Sequence, residues 1–305
     1  MISFVKKEEI PFEQSREVQR HVFSTNRTSN KTIAVWSPIQ RSGITTFCIN
    51  YACFLAENRL FTGVLESLRP HNANILKHIV KRYSALPKNW VSYAQMTHKG
   101  VKGDKVATWY YKDALFLPLD DDDSKLNWSY GSLATYVRNS QTMDVTLIDM
   151  PSGYLEEYSI ETIRLVDELW ILIDDTYQEI LSWRSYIKEL EKNCKVEVKL
   201  IFNKEYSFSQ KDKISKHLGY PIIASIPAMH EQIMRNYYEN ETLYYIQPSR
   251  SLLYEPFVDL TYNLLGNDFK LLSIEDMTKK GYIAKNSEGS LLHAALEKIK
   301  SKLKA

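Results

Sequence analysis

Residues 38–45 read Pro38-Ile39-Gln40-Arg41-Ser42-Gly43-Ile44-Thr45, a loop in which a glycine is followed two places later by a hydroxyl. That pairing suits an anion. A flexible backbone turns its N–H groups inward at a helix start, and a threonine hydroxyl is a hard ligand for a divalent cation. Against the phosphate-loop pattern G-x-x-x-x-G-K-[ST], only Gly43 and Thr45 agree. Pro38 replaces the first glycine, which removes backbone freedom and an N–H. Ile44 replaces the lysine, and with it the charge that stabilises a transferring phosphoryl group. The second stretch is residues 144–153, DVTLIDMPSG, a β-rich run that ends in Asp149 and a Pro/Gly turn. A carboxylate at the end of a central parallel strand lies where ligands bind in open α/β sheets. Beside an anion loop Asp149 would hold Mg²⁺, directly or through water; standing alone it reads equally well as a turn or cap residue.

The elements that must position these groups are legible on both sides. Residues 32–36 (TIAVW) form an apolar run too short for a helix, a buried strand. After the loop, Phe47, Cys48, Tyr51, Ala52 and Leu55 recur at helical spacing. Further strands are expected at 61–65, 115–119, 169–173, 196–202 and 222–227. Helices are expected at 74–83, 126–139, 157–166, 180–192, 209–218 and 256–265, with 84–113 irregular and rich in Trp and Tyr. Strands and helices in single file imply a mainly parallel, doubly wound α/β sheet covered on both faces. The run Asp120 to Asp123 lacks EF-hand spacing and reads as a solvated loop rather than a metal site.

The 305 residues, 44% hydrophobic and 25% charged, suffice for one large α/β domain with appendages. A formal charge of +2 gives no reason to expect nucleic acid, and the core lacks a concentrated Lys/Arg face. No apolar stretch approaches a membrane span, and the opening MISFVKKEEI has no signal-peptide core. Three dispersed cysteines, Cys48, Cys53 and Cys194, point to reducing cytosol without disulfides.

From residue 31 to 266 the order of segments resembles the deviant P-loop ATPases of the ParA/MinD type, whose core the bacterial capsule tyrosine kinases share. IDMPSGYLEE with VDELWILI resembles the family's Walker B and switch II segment. LIFNKEY resembles the strand whose terminal asparagine reads adenine, and the stretch from GYPIIASIPAMHEQ resembles the one that opens on the "IP" turn beside base and ribose. FEQSREVQR weakly resembles the helix before the core of the tyrosine kinases. The resemblance implies ATP or ADP with Mg²⁺. It places Arg41, Ser42, Gly43, Ile44, Thr45 and Thr46 along the phosphates, Thr45 and Asp149 at the metal, Asn203 at adenine and Pro227 beside base and ribose. It also implies three losses. Ile44 takes the place of the loop lysine, and Ile39 that of the signature lysine that reaches the partner's nucleotide. Leu68, in Glu66-Ser67-Leu68, takes the place of the acid that positions water. Arg41 either supplies a guanidinium in their stead or is simply solvated.

The chain thus divides into an extension (1–30), a ParA/MinD-like domain (31–266), and a linker with a basic tail (267–305). From Lys270 the tail carries eight lysines against four acids. Leu292, Leu296, Ile299 and Leu303 fall on one helical stripe, as in the membrane-binding tails of MinD-type proteins. The expectation is a non-catalytic, nucleotide-holding or nucleotide-free organiser or scaffold for a membrane- or pole-associated assembly. It would be cytoplasmic or peripheral on the membrane's inner face, with protein partners and a homodimer among its assemblies. The alternatives are an active ATPase rescued by Arg41, in partitioning or positioning, and a kinase-like regulator of polysaccharide export, for which a tail cluster of tyrosines is missing.

Overall fold

The unbroken apolar runs become the middle of a sheet. A computed structural model describes residues 30–68, 75, 88–99, 107–239, 241–266, 269 and 271. The described strands are β1 (Lys31–Trp36), β2 (Thr62–Glu66), β3 (Trp109–Tyr111), β4 (Ala114–Leu117), β5 (Val145–Asp149), β6 (Glu168–Ile173), β7 (Glu197–Glu205) and β8 (Ile222–Pro227). They form one sheet in the order β3-β4-β2-β5-β1-β6-β7-β8. All pairings are parallel except β3 with β4. The central strands are buried on both faces, which is why VTLID and ELWILI read as continuous rather than alternating.

The described helices are α1 (Ile44–Glu57), α2 (Tyr93–Lys99), α3 (Tyr130–Ser140), α4 (Glu157–Ile163), α5 (Tyr177–Ser182), α6 (Arg184–Cys194), α7 (Lys211–Leu218), α8 (His230–Glu239) and α9 (Ser249–Leu265). Successive side chains of β1 serve opposite faces. Ile33 and Val35 join Phe47 and Phe54 of α1 and Phe257 of α9 in one core. Ala34 and Trp36 join Leu133 of α3, Ile163 of α4, Leu190 of α6 and Leu218 of α7 in the other. Tyr51, Tyr136, Tyr244 and Tyr254 are fully buried, so part of the chain's twenty tyrosines is core aromatic packing.

Several expectations are corrected. The region read as irregular contains α2 and the strand β3, whose hairpin with β4 turns at Lys112 and Asp113, both at positive φ. The helix expected at 180–192 is two helices, α5 and α6, that meet at Trp183. The helix expected from 126 starts at Tyr130, where the Ser129 side chain accepts from the Ser132 N–H. The closing helix starts at Ser249 and runs through Pro256. Pro256 has no N–H to offer the carbonyl of Leu252, four residues earlier. Helix α8 was not foreseen at all. The aspartate run forms a short 3₁₀ helix (Asp121–Lys125), not a fully solvated loop: Asp123 is buried and accepts from Ser92 Oγ and the Asp120 N–H, and burial pushes its carboxyl pKa up. The N-terminal helix, most of the helix at 74–83 and the basic tail lie outside the described residues.

Candidate functional site

Where the chain leaves β1 at the sheet's C-terminal edge, the next strand pairs on the side of β5 while β6 lies on the other. Such a switch point opens a crevice, and α1 begins inside it. Gly43, at φ 92°, occupies the N-cap position and makes no side-chain cap, so the first-turn N–H groups of α1 face the crevice edge uncapped by a side chain. Arg41 is exposed and also left-handed, at φ 58°, a conformation that favours glycine. A Cβ on Gly43 would come within 3.3 Å of Asn203 Nδ2, which fits the close approach of loop and strand end.

Parallel register sets Val35 and Glu66 level with Asp149, so three strand ends share one row. Thr45 Oγ1 donates to Asp149 Oδ2 at 2.9 Å. A hydroxyl and a carboxylate are the oxygen donors that Mg²⁺ takes, with phosphate oxygens and water completing its shell. The pair therefore fits the ion. Among the described residues, no group of three or more His, Cys, Asp or Glu gathers as a metal cluster.

Apart from Ile44, the remaining sequence-predicted residues lie around a cavity of ≈ 180 Å³. Arg41, Ser42, Gly43 and Thr46 form its loop side, and Asn203, Lys204 and Pro227 its strand side; Phe47, Ile226 and Phe257 contribute an apolar floor. Asn203 Nδ2 donates to the Ser42 carbonyl at 2.7 Å, and its Oδ1 accepts from the Lys204 N–H at 3.0 Å. Asn50, on the same cavity, donates to the Thr46 carbonyl and accepts from the Tyr244 N–H. Each amide keeps an N–H and a lone pair for a ligand. Ser42 Oγ is buried and has no hydrogen-bond partner among the described residues.

The three replaced positions do not face this cavity as charged groups. Ile44 (6% exposed) packs in the core of α1, while Ile39 (9%) and Leu68 (5%) join the opposite core. Glu66 is buried too, and its carboxylate accepts the N–H groups of Leu119 and Ile75. It is a brace for the β2–β4 side of the sheet.

Two features escaped the sequence. The turn after Asp149 is fastened to the loop's start: Trp36 Nε1 donates to the Gly153 carbonyl at 3.0 Å, and the Gly153 N–H donates to the Ser37 carbonyl at 2.9 Å. Trp36 also meets Trp183 and Tyr186 edge-on or tilted, with Tyr154 against both of those rings; burial raises the Tyr186 phenol pKa. The other is Lys204, whose Nζ lies 3.3 Å from the Arg41 carbonyl and 3.4 Å from Asp174. An irregularity between β7 and β8 brings it there, and no alternation pattern announces it.

The fold matches solved structures over most of their length. MinD of Pyrococcus horikoshii, complexed with Mg-ADP, superposes with a TM-score of 0.62 at 17% identity, covering 77% of this chain and 95% of that one. The chain has the MinD/ParA fold. MinD of Aquifex aeolicus gives 0.61 at 19% identity, with 80% of this chain and 100% of that one covered. A Cyanothece McdA in complex with ATP gives 0.60 at 17%, covering 81% and 99%. No protein-family model and no curated protein sequence matches the chain.

Proposed function

We propose that the chain is a ParA/MinD-like organiser that binds ATP or ADP with Mg²⁺ and does not hydrolyse ATP. The observation that carries this reading is a split within one site. The uncapped start of α1, the Thr45–Asp149 pair and the cavity are kept, whereas the three positions that need charge for turnover are apolar and packed inside. Bound Mg²⁺ would neutralise phosphate charge. Thr45 and Asp149 would hold it, the α1 N–H groups would bind the phosphates, and the Pro227 side of the cavity would take the base. Burial of Leu68 leaves no carboxylate at that position to orient a water. The nucleotide would then act as a structural ligand that stabilises the folded loop by mass action.

Support for an organising role comes from relatives of the fold. The Aquifex MinD is also solved in a complex with MinC, which suggests protein partners here. The basic tail would add an anionic membrane surface, and any homodimer would form without nucleotide, since Ile39 cannot reach across as a lysine would. The test pairs calorimetric titration of ADP and ATP, each with Mg²⁺, against phosphate release by the full chain and by Asp149→Ala. Saturable binding with phosphate release at the buffer background is expected. Turnover that Asp149→Ala abolishes would establish the working ATPase instead, and absence of binding would leave a nucleotide-free scaffold.

A further inference from the structure

The turn after Asp149 carries an aromatic face that the nucleotide site does not use. Tyr154 is 76% exposed, yet its ring is held in place, 4.4 Å from the Trp183 ring and 5.2 Å from that of Tyr186. Trp183 and Tyr186, both half-buried, meet each other edge-on at 5.6 Å and rest on the buried Trp36. The Leu155 N–H donates to the Tyr186 hydroxyl at 3.1 Å, which pins the turn to α6. Tyrosine and tryptophan rings held rigidly at the surface suit a protein–protein anchor, because little side-chain freedom is left to lose on binding.

The charge beside these rings is negative. Glu189 is exposed one helical turn from Tyr186 on α6. Burial raises the Tyr186 phenol pKa, and the charge of Glu189 adds to it, so the carboxylate lies close to the ring. Glu156, two residues after Tyr154, is exposed as well. The cations of α6 face elsewhere. Arg184 and Lys188 each stand two positions from Tyr186, about 200° around the helix, and Arg184 lies within electrostatic reach of Tyr220 instead. Aromatic faces edged by carboxylates suit a guanidinium, which stacks on the one and pairs with the other. We propose that Tyr154, Trp183 and Tyr186, with Glu156 and Glu189, form a docking face for an arginine-bearing segment of a partner protein. The inference deepens the organiser reading above and rests on its protein partners rather than on the nucleotide.

Calorimetric titration of tetra-arginine amide, tetralysine amide and tetraglutamate into the full chain tests this, in wild type, Tyr154→Ala, Glu189→Gln and Asp122→Asn. Tetra-arginine should bind, tetralysine more weakly, and tetraglutamate not at all. Tyr154→Ala should weaken tetra-arginine about two- to fivefold, the scale of an exposed cation–π contact. Glu189→Gln should weaken it about twofold. Asp122→Asn, which neutralises an exposed acid paired with Lys125 in the 3₁₀ helix, should leave it unchanged. Equal affinity in wild type and Tyr154→Ala overturns the proposal. So does a matching loss in Asp122→Asn, which would mark a general attraction of cations to acidic surface. If Tyr154→Ala fails to fold, Glu189→Gln decides, and unchanged affinity there counts against the face. ADP titrated alongside keeps the readings apart. A chain that binds ADP but not tetra-arginine loses only this face, and one that binds tetra-arginine but not ADP keeps the face and loses the nucleotide.

Discussion

Asn203, near the end of β7, donates to the carbonyl of Ser42, 161 residues earlier, at 2.7 Å. One strand end thereby holds the loop that would hold the phosphates. Asn203→Ala removes the strut and should cost about 1 kcal/mol of stability, with a several-fold loss of nucleotide affinity. Asn203→Asp removes the donor and puts a negative charge beside the loop, so on the nucleotide-binding reading it should bind nucleotide more weakly than the alanine variant at similar melting temperature. Melting curves and ADP titrations on the same samples check the order. An aspartate variant that binds ADP better than the alanine variant would mean that the carboxylate does not face the phosphates.

Ile44→Lys restores one charge to the loop. The side chain it replaces is buried, so the variant should lose about 1–3 kcal/mol of stability. Nucleotide should bind more tightly, because a cation now lies among the α1 N–H groups. Phosphate release should stay at background, since Leu68 remains in the core and offers no acid to the water. Measured turnover above wild type would show that the lysine alone was the missing part.

How far the sequence could be read follows from packing. Strands buried on both faces leave an unbroken apolar signature, so β1, β5 and β6 and the parallel sheet were visible, as was Asp149 at the end of one such run. The departures from the phosphate-loop ATPase pattern were visible because Ile44 and Ile39 stand where the resemblance implies charge. What stayed hidden depends on backbone detail. Nothing in FNKEY tells that Lys204 turns left-handed and joins Asn203 at the loop. Pro256 reads as a helix start, yet α9 begins seven residues earlier, because Leu253, Tyr254 and Phe257 bury one face across it. The setting of Glu66 was hidden too: its buried carboxylate accepts the backbone N–H groups of Leu119 and Ile75.

Behind the sheet, Arg250 of α9 pairs with Glu57 at the end of α1, both buried, and the guanidinium lies 4.8 Å from the Tyr244 ring. Removing one partner of such a pair leaves an uncompensated charge. Arg250→Ala should therefore cost about 3–5 kcal/mol, while Arg250→Met with Glu57→Leu should cost far less. Chemical denaturation of the three proteins checks this. Equal losses in single and double variants would show that the aromatic packing, rather than the ion pair, governs stability there.

The buried tyrosines predict an alkaline limit. Burial pushes the phenols of Tyr51 and Tyr254 above the ordinary value of 10.0, and that of Tyr93 up to about 12. The folded protein keeps protons that the unfolded chain releases, so this contribution is fully present below about pH 10 and is lost as pH rises through 12. Tyrosinate absorbance should thus appear in two steps, with the contribution of Tyr51, Tyr93 and Tyr254 appearing only with unfolding. A single smooth titration with circular dichroism unchanged would contradict the buried assignment.

The basic tail, residues 290–305, should act as a detachable targeting helix. Its stripe of Leu292, Leu296, Ile299 and Leu303 offers about 1.5–3 kcal/mol per large side chain if fully buried. Each nearby lysine adds about 1 kcal/mol at an anionic surface. Ordering the helix offsets part of this, so binding should be weak, reversible and sensitive to salt, and useful only with the avidity of an oligomer. Co-sedimentation with anionic liposomes, for the full chain and for a chain ending at Gly289, measures it; truncation should abolish lipid binding and leave the melting temperature within a degree or so of wild type, about the effect of losing surface contacts alone. Unchanged lipid binding with a melting temperature several degrees lower would instead assign the tail to the folded domain.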